Sequence, residues 1–396
     1  MICSLRRGKT LSAPVFFLFL TCFEQSGKIN LTKLGNSFPN IKYAVVHNSR
    51  LFGVDDGKIY ASGFNDYTNW TLDTAENYNE SNAWVSTAQS NVKASGDFVG
   101  ITAFQNHVIC FKKDYMHEIY NNKNPFRVQD IYAEGTIDQR SIQDVGGQLI
   151  FADNDYVKVY TGGQPRILSY ELNIKNITKA VAGNDGRKYY LYCVCDDCLR
   201  NTKQQQPHLF VYDTITQLWS EESLFDSTNG YLEIQGFAKT DNGFFAVASN
   251  ENGTNSSLQG YIYQLDMNTY SPKWEFETDI MTNGTVDVKH LHKIQLYGEF
   301  DKDSSIEVYM LHDGIYDGTE LDKEDNINGG TSDNVAKYKK IASYSNGDAI
   351  AGKYIRFIVP KSAHLGFKLR FRGSGYVKLY QMELFFRQGG ELHSGS

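Results

Sequence analysis

Proline is scarce in this chain, with 7 among 396 residues, and cysteine and tryptophan number only 6 and 4. So few prolines rule out a polyproline linker or a low-complexity segment as the main content. So few cysteines, spread over such length, rule out a small scaffold held by disulfides. Long stretches of 3.6-residue apolar periodicity are missing, which argues against a helical bundle or a helical solenoid. The longest apolar run, Ala13 to Phe23, is too short to span a bilayer, so no transmembrane segment is expected. Positive charge is in deficit: the formal charge is −7, and general nucleic-acid binding through phosphates is not expected. Catalytic templates are also missing. The chain contains no G-x-S-x-G, no P-loop, no strand-linked G-x-G-x-x-G and no H-E-x-x-H, so the expectation is a protein that is not an enzyme and holds no cofactor.

What is abundant is aromatic. Tyr and Phe number 26 and 24, which favours antiparallel sheet. Many of them belong to a short unit that recurs five times: a strand, a polar turn, and a second strand ending in tyrosine. Its copies run Arg50 to Tyr60 (RLFGVDDGKIY), His107 to Tyr120 (HVICFKKDYMHEIY), Gln148 to Tyr160 (QLIFADNDYVKVY), Tyr189 to Tyr212, and Phe244 to Tyr263. Each reads as a β-hairpin, because aromatic and β-branched residues flank a turn rich in Asp, Asn, Gly and Lys. The closing residues Tyr60, Tyr120, Tyr160, Tyr212 and Tyr263 lie roughly 40 to 60 residues apart, the period of propeller blades.

A second regularity follows the tyrosines. Tyr212-Asp213 leads to Trp219, Tyr263 leads through Asp266 to Trp274, and Tyr60 leads through Asn65-Asp66 to Trp70. An aspartate can hydrogen-bond the backbone of its own turn, and a tryptophan one strand later can wedge between neighbouring sheets. These aromatics are structural repeat positions and not a cofactor box.

After Trp274 the rhythm changes to about six longer alternating strands, which read as a separate antiparallel β-sandwich. The densest basic run, Lys368 to Arg372 (KLRFR), alternates charge with apolar residues and marks the wet face of one strand. The expected division is an atypical segment 1–26, a β-propeller of five or six blades over 27–280, a β-sandwich over 281–390 and a tail over 391–396. Segment 1–26, basic and then apolar, reads either as signal-like or as a mis-started stretch. A sixth blade is expected to close the ring from Gly27–Lys33 and the strand that begins at Trp274.

Candidate ligands for a metal are few. Cys193, Cys195 and Cys198 look like half of a zinc site, but no second Cys or His pair follows at short spacing and His208 is the nearby addition. Half-buried hairpin residues are the expectation there. His107 and His117 lie in alternating strands without partners at catalytic spacing, as structural histidines do. Asp301–Asp303 and Asp313–Asp317 could ligate calcium, yet neither follows an EF-hand loop; solvated turns are expected.

The stretches from Val46 to Trp70, Phe98 to Tyr120 and Gly135 to Tyr160, with the Asp213/Trp219 unit, resemble β-propeller structural proteins encoded among the virion genes of tailed bacteriophages, of the tail-hub or head-stabilisation type. The resemblance covers roughly residues 40 to 280, and the C-terminal run is similar to modules appended to such proteins. It implies a non-enzymatic ring or adaptor component of the tail or neck, a homo-oligomer contacting other virion and tail proteins, with a host-surface glycan as a further partner. The alternative is a secreted or surface carbohydrate-binding propeller adhesin; a glycosidase ranks below it, because paired carboxylates across a cleft cannot be placed from sequence.

Overall fold

A computed structural model describes residues 38–74, 78–86, 96–120, 123–132, 134–196, 205–222, 224–226, 230–250, 260–265, 273–281, 289–301, 304–312, 339–345, 354–360 and 366–388. The described residues are all-β, with two three-residue 3-10 turns at Gln139–Ser141 and Tyr170–Leu172 and no helix long and apolar enough to cross a membrane. They divide into two compact units, residues 1–266 and 267–396.

Among the described residues the first unit holds five four-stranded antiparallel sheets, each taken up by consecutive strands. The first is β1 (Tyr43–His47), β2 (Arg50–Asp55), β3 (Lys58–Ala61) and β4 (Trp84–Ser86). The second is β5 (Gly100–Phe104), β6 (His107–Phe111), β7 (Tyr115–Tyr120) and β8 (Arg127–Tyr132). The third comprises β9 (Gln143–Val145), β10 (Gln148–Ala152), β11 (Val157–Tyr160) and β12 (Arg166–Ile167), and the fourth β13 (Lys179–Asn184), β14 (Lys188–Asp196), β15 (Gln205–Asp213) and β16 (Leu218–Glu222). The fifth is β17 (Phe225–Asp226), β18 (Gly230–Thr240), β19 (Gly243–Asn250) and β20 (Gly260–Leu265).

Turn chemistry sets the registers. Asn48-Ser49, Asp56-Gly57 and Gly146-Gly147 all have positive φ at both central positions, the type I′ geometry whose twist matches that of paired strands. Elsewhere an aspartate closes the turn on its own backbone. Asp153 accepts from the amides of Asp155 and Tyr156 (2.7 and 2.6 Å), and Asp185 from Arg187 and Lys188 (2.8 and 2.7 Å). Asp213 accepts from Ile215 and Thr216 (2.9 and 3.3 Å). It also receives the Arg187 fork, and that guanidinium holds its carboxyl down at about 2.

The second and third strands of the middle three sheets are buried on both faces over most of their length, and side-chain alternation sorts their residues between two cores. On β6, Val108 and Cys110 join Phe52, Val54 and Ile59 of the first sheet, while Ile109 and Phe111 turn to Leu149 and Phe151 of the third. On β10 the same division sends Leu149 and Phe151 back to the second sheet, and Ile150 and Ala152 forward to Leu191 and Cys193. On β14, Tyr189 and Leu191 face the third sheet while Tyr192 packs with Ile234 and Ala246 of the fifth. A strand that must be apolar on both faces loses the simple hydrophobic-polar alternation. Strands of successive sheets approach one another as well: β1 packs on β5, β9 on β13, and β13 on β18, the second strand of its sheet. The last approach needs Gly183, where an added Cβ would stand 2.2 Å from Phe237 Cβ.

Among the described residues the second unit has two sheets. One is ordered β21 (Lys273–Glu277), β26 (Phe367–Ser374), β23 (Ser305–His312), β24 (Lys339–Ser345); the other is β25 (Tyr354–Ile358), β22 (Lys289–Phe300), β27 (Val377–Gln388). Inward residues of both, among them Ile294, Leu296, Phe357, Val308, Met310 and Phe371, form one core. The run Lys368 to Arg372 is the alternating strand expected, with Leu369 and Phe371 buried and Lys368, Arg370 and Arg372 in ion pairs with Glu275 and Glu277.

One expectation is corrected here. Trp274 sits on β21, which pairs with β26 inside the second unit, so this strand does not complete a sixth sheet of the first; the ion pairs of Glu275 and Glu277 with β26 hold it there. The other half of that closure, Gly27–Lys33, lies outside the described residues, as does segment 1–26. By contacts the chain divides between residues 266 and 267.

Candidate binding groove

The five repeat tyrosines fall at matching places. Tyr60, Tyr120, Tyr160, Tyr212 and Tyr263 each stand at or near the end of the outgoing strand of their hairpin: β3, β7, β11, β15 and β20. In the first four sheets that strand is third in order; in the fifth it is fourth, because the two-residue β17 precedes β18. Tyr160 and Tyr212 are buried, whereas Tyr60, Tyr120 and Tyr263 are half-buried. Trp219 lies on β16, packs on Tyr212 and Phe210, and its Nε1 donates to the Leu168 carbonyl at 3.0 Å, joining the fourth sheet to the third. Trp70 does not match it. That ring sits in the long excursion between β3 and β4, its Nε1 donating to Tyr67 O and its edge on Phe38. The fourth-strand tryptophan of the first sheet is Trp84, opposite Ala61 and against Phe126, a residue the repeat reading overlooked because the excursion displaces it.

Cys193 and Cys195 share one face of β14 and are buried as reduced thiols, with His208 paired opposite Cys193. His208 Nδ1 meets Glu221 at 2.6 Å and its ring stacks on Phe210. A hydrogen bond from Cys193 pulls the Cys195 thiol below its usual value, with burial opposing it. Cys198 lies outside the described residues, and no metal-holding cluster occurs among those described. Of the calcium candidates, Asp303 and the run 313–317 are likewise outside them.

The excursion that displaces Trp84 builds a groove, and a buried arginine is what holds it. Arg50, 1% exposed, donates from Nη1 to Ser62 O (2.5 Å) and Asn82 O (2.7 Å), and from Nη2 to Glu80 O (2.5 Å). Its plane lies over Phe126 and Phe64. A guanidinium has five donors in a fixed fork and stays charged even though burial pushes its pKa down, so it can gather three carbonyls that no strand satisfies. Asp73 extends the network, accepting from Asn79 N and Asn82 Nδ2 (both 2.9 Å) and from Asn124 Nδ2 (2.7 Å). Tyr78 then donates its hydroxyl to Asn124 O at 2.5 Å, and Lys123 pairs with Glu80 at 2.7 Å.

Between these arms lies an open groove of about 700 Å³, lined by Tyr78, Glu80, Asn106, His107, Lys123, Asn124 and Pro125. His107 at its floor is oriented from below. Its Nδ1 lies 3.2 Å from Glu118, and its ring packs 4.4 Å from Tyr120. Glu118 is buried and also accepts from Tyr120 OH at 2.5 Å. Burial, reinforced by that carboxylate, pushes Tyr120 up to about 12; burial and Glu118 raise Tyr160 too. His107 is thus not isolated: its partner lies diagonally across the hairpin, legible only once the Lys112–Asp114 turn fixes the register.

Chemically the groove offers one exposed aromatic ring, one exposed amide at Asn106, one ion pair and one oriented imidazole. Glu80 is the only carboxylate among its described lining residues, and no Ser, Thr or Cys stands among them beside His107. That set suits the binding of a polar ligand.

No protein-family model and no curated protein matches the sequence. Among solved structures the chain is similar to a GH32 β-fructofuranosidase from Bombyx mori, at 11% identity and a TM-score of 0.26, over 72% of this chain and 91% of that one. It is also similar to an exo-1,5-α-L-arabinanase from a bovine ruminal metagenomic library, at 12% identity and a TM-score of 0.23, over 55% of this chain and 92% of that one. Likeness at that level transfers no site or activity from those enzymes.

Proposed function

We propose that the five sheets of the first unit are blades of a β-propeller, that the second unit is a β-sandwich, and that the chain is a non-enzymatic structural component of a tailed-phage virion, in the tail or neck. The observation that carries this reading is the packing of the middle sheets, whose two faces are both consumed by neighbouring sheets. Buried charge serves the same end: Arg50 gathers loop carbonyls, and Lys158 lies between Glu134 and Asp153 (2.7 and 2.5 Å). A ring of sheets welded in this way is a rigid spacer whose loops can vary, which suits an assembly part. The repeat motifs' resemblance to phage propeller proteins supplies the assignment to a virion. Homo-oligomerisation and contact with other tail proteins follow from it. The test is mass spectrometry of purified particles together with electron microscopy of the purified protein. A fixed copy number per particle and a ring or adaptor density support the proposal; absence from infectious particles defeats it.

A second reading is a secreted or surface carbohydrate-binding propeller, favoured by the groove, where Tyr78 is 60% exposed and the Asn106 amide is exposed beside it. Exposed aromatic rings and amides are what a sugar needs for stacking and hydroxyl recognition. Glycan-array binding lost on Tyr78→Ala would favour it. Glycoside turnover abolished by a single carboxylate substitution would replace both readings with an enzymatic one.

A further inference from the structure

The two sheets of the second unit treat their outward charges differently. On the four-stranded sheet most cations are matched: Lys368 with Glu277, Arg370 with Glu275 and Glu277, Arg372 with Glu275, and Lys340 with Glu307, while Lys273 makes no ion pair among the described residues. On the three-stranded sheet Glu299 lies opposite Lys378 and accepts from Tyr380, but the neighbouring rows hold no ion pair among the described residues. The register of that sheet sets out these rows on one face: Lys293 lies between Ile358 and Phe385, Gln295 between Arg356 and Glu383, and Tyr297 between Tyr354 and Gln381. The alternating residues Ile294, Leu296, Ile355 and Phe357 face the core, so these rows face outward.

This face mixes apolar and polar groups in an ordered way. Ile358 is 61% exposed, Tyr354 45% and Phe385 36%. Lys293 Nζ stands 3.4 Å over the Phe385 ring, and Arg356 lies over Tyr354 at 5.8 Å. The acid of the middle row is already engaged: Tyr297 OH donates to Glu383 at 3.2 Å and Gln381 to its other oxygen at 3.1 Å. Arg356 makes no ion pair and no hydrogen bond among the described residues. Its guanidinium is thus an exposed fork without an anion, held beside a tyrosine ring.

We infer that the outer face of the β25–β22–β27 sheet is a binding platform for an acidic, carboxylate-bearing saccharide. Aromatic rings in adjacent rows suit the apolar faces of sugar rings, and the Arg356 fork suits a carboxylate, which it can meet with two parallel hydrogen bonds. A protein partner fits less well. A dry interface there would bury Arg356, Lys293 and Glu383 between the apolar positions and strip their water, whereas a hydroxylated ligand keeps them hydrogen-bonded. With two cations to one acid across the rows, the excess is positive, which again favours a uronate over a neutral sugar. This inference goes beyond the virion reading and is independent of the groove in the first unit.

The test is isothermal titration of the full chain with an oligogalacturonate and with a maltooligosaccharide of equal length. The acidic ligand is expected to bind about tenfold more tightly than the neutral one, as one bidentate charge-assisted contact supplies. Arg356→Gln should erase that preference, and Tyr354→Ala should weaken the acidic ligand by roughly tenfold. Both side chains are exposed, so unchanged melting temperatures will certify the variants. Absence of saturable binding, equal affinity for the two ligands, or an unchanged preference in Arg356→Gln would each overturn the inference. Binding lost instead in Tyr78→Ala would move the ligand to the groove and overturn it as well, leaving the second reading above standing.

Discussion

Arg50→Met should cost the first unit about 3–5 kcal/mol, the range for removing one partner of a buried ionic network. The wild-type side chain donates three short hydrogen bonds to the carbonyls of Ser62, Glu80 and Asn82, and it is 1% exposed. Each charge-assisted bond contributes about 1.5–3 kcal/mol, and relief of the guanidinium's own desolvation offsets part of the sum. Methionine keeps the packing over Phe126 but donates nothing, so the three carbonyls are left to water that must open the excursion to reach them. At roughly 2–4 °C per kcal/mol for a unit of this size, the melting temperature should fall by about 10 °C. Hydrogen exchange should quicken first at Ala83 and Gly63, whose amides bond Thr71 O and Asn69 O within the excursion. Arg50→Lys should recover only part of the loss, because an ammonium lacks the planar fork. A change below about 1 kcal/mol, or exchange that quickens uniformly, would refute the claim that this arginine organises the excursion.

Other predictions follow from the same contacts. Gly183→Ala should destabilise by about 1–3 kcal/mol in denaturant unfolding, since its Cβ meets Phe237, while Gly236→Ala, open to 4 Å, should be nearly neutral. Trp219→Phe should cost about 1–2 kcal/mol through the lost bond to Leu168 O, and a thermal melt indistinguishable from wild type would count against its bridging role. Asp213 has its folded pKa lowered to about 2, so the stability it contributes is present above the ordinary carboxylate value of ~3.9 and is lost as pH falls from there toward 2. Asp213→Asn should therefore flatten that acid limb in melts taken between those limits, and an unchanged limb would show that other carboxylates set it.

How much of this was legible in the sequence depended on the range of the signal. The hairpins were, because Asp56-Gly57 and the self-capping aspartates Asp153 and Asp213 write their turns locally. Burial on both faces was not, since a run such as QLIFA in β10 gives no hint that alternate residues serve two different cores. Trp70 and Trp274 misled for one reason: a repeat read by spacing assumes the next strand belongs to the same sheet. In one case a long excursion intervened and in the other the chain had entered the second unit. The groove was beyond reach altogether, because its closing bond joins Tyr78 to Asn124 across 46 positions.

The outer strands bear on how copies of such a protein can meet. An unprotected edge strand invites pairing with another chain, and proteins blunt it by keeping the strand short or charged. Here β4 has three residues and β12 two, while β16 carries Glu221 and Glu222 and is exposed along most of its length. Backbone pairing through those edges is thereby disfavoured. The groups left available for specific contact are side chains held on loops, like the Arg50-anchored excursion, or on an outward sheet face, like the Arg356 row. Both are displayed by backbone that sheet packing has already fixed, so a ligand or neighbour meeting them would incur little ordering cost, which is the physical advantage of building recognition onto a rigid stack of sheets.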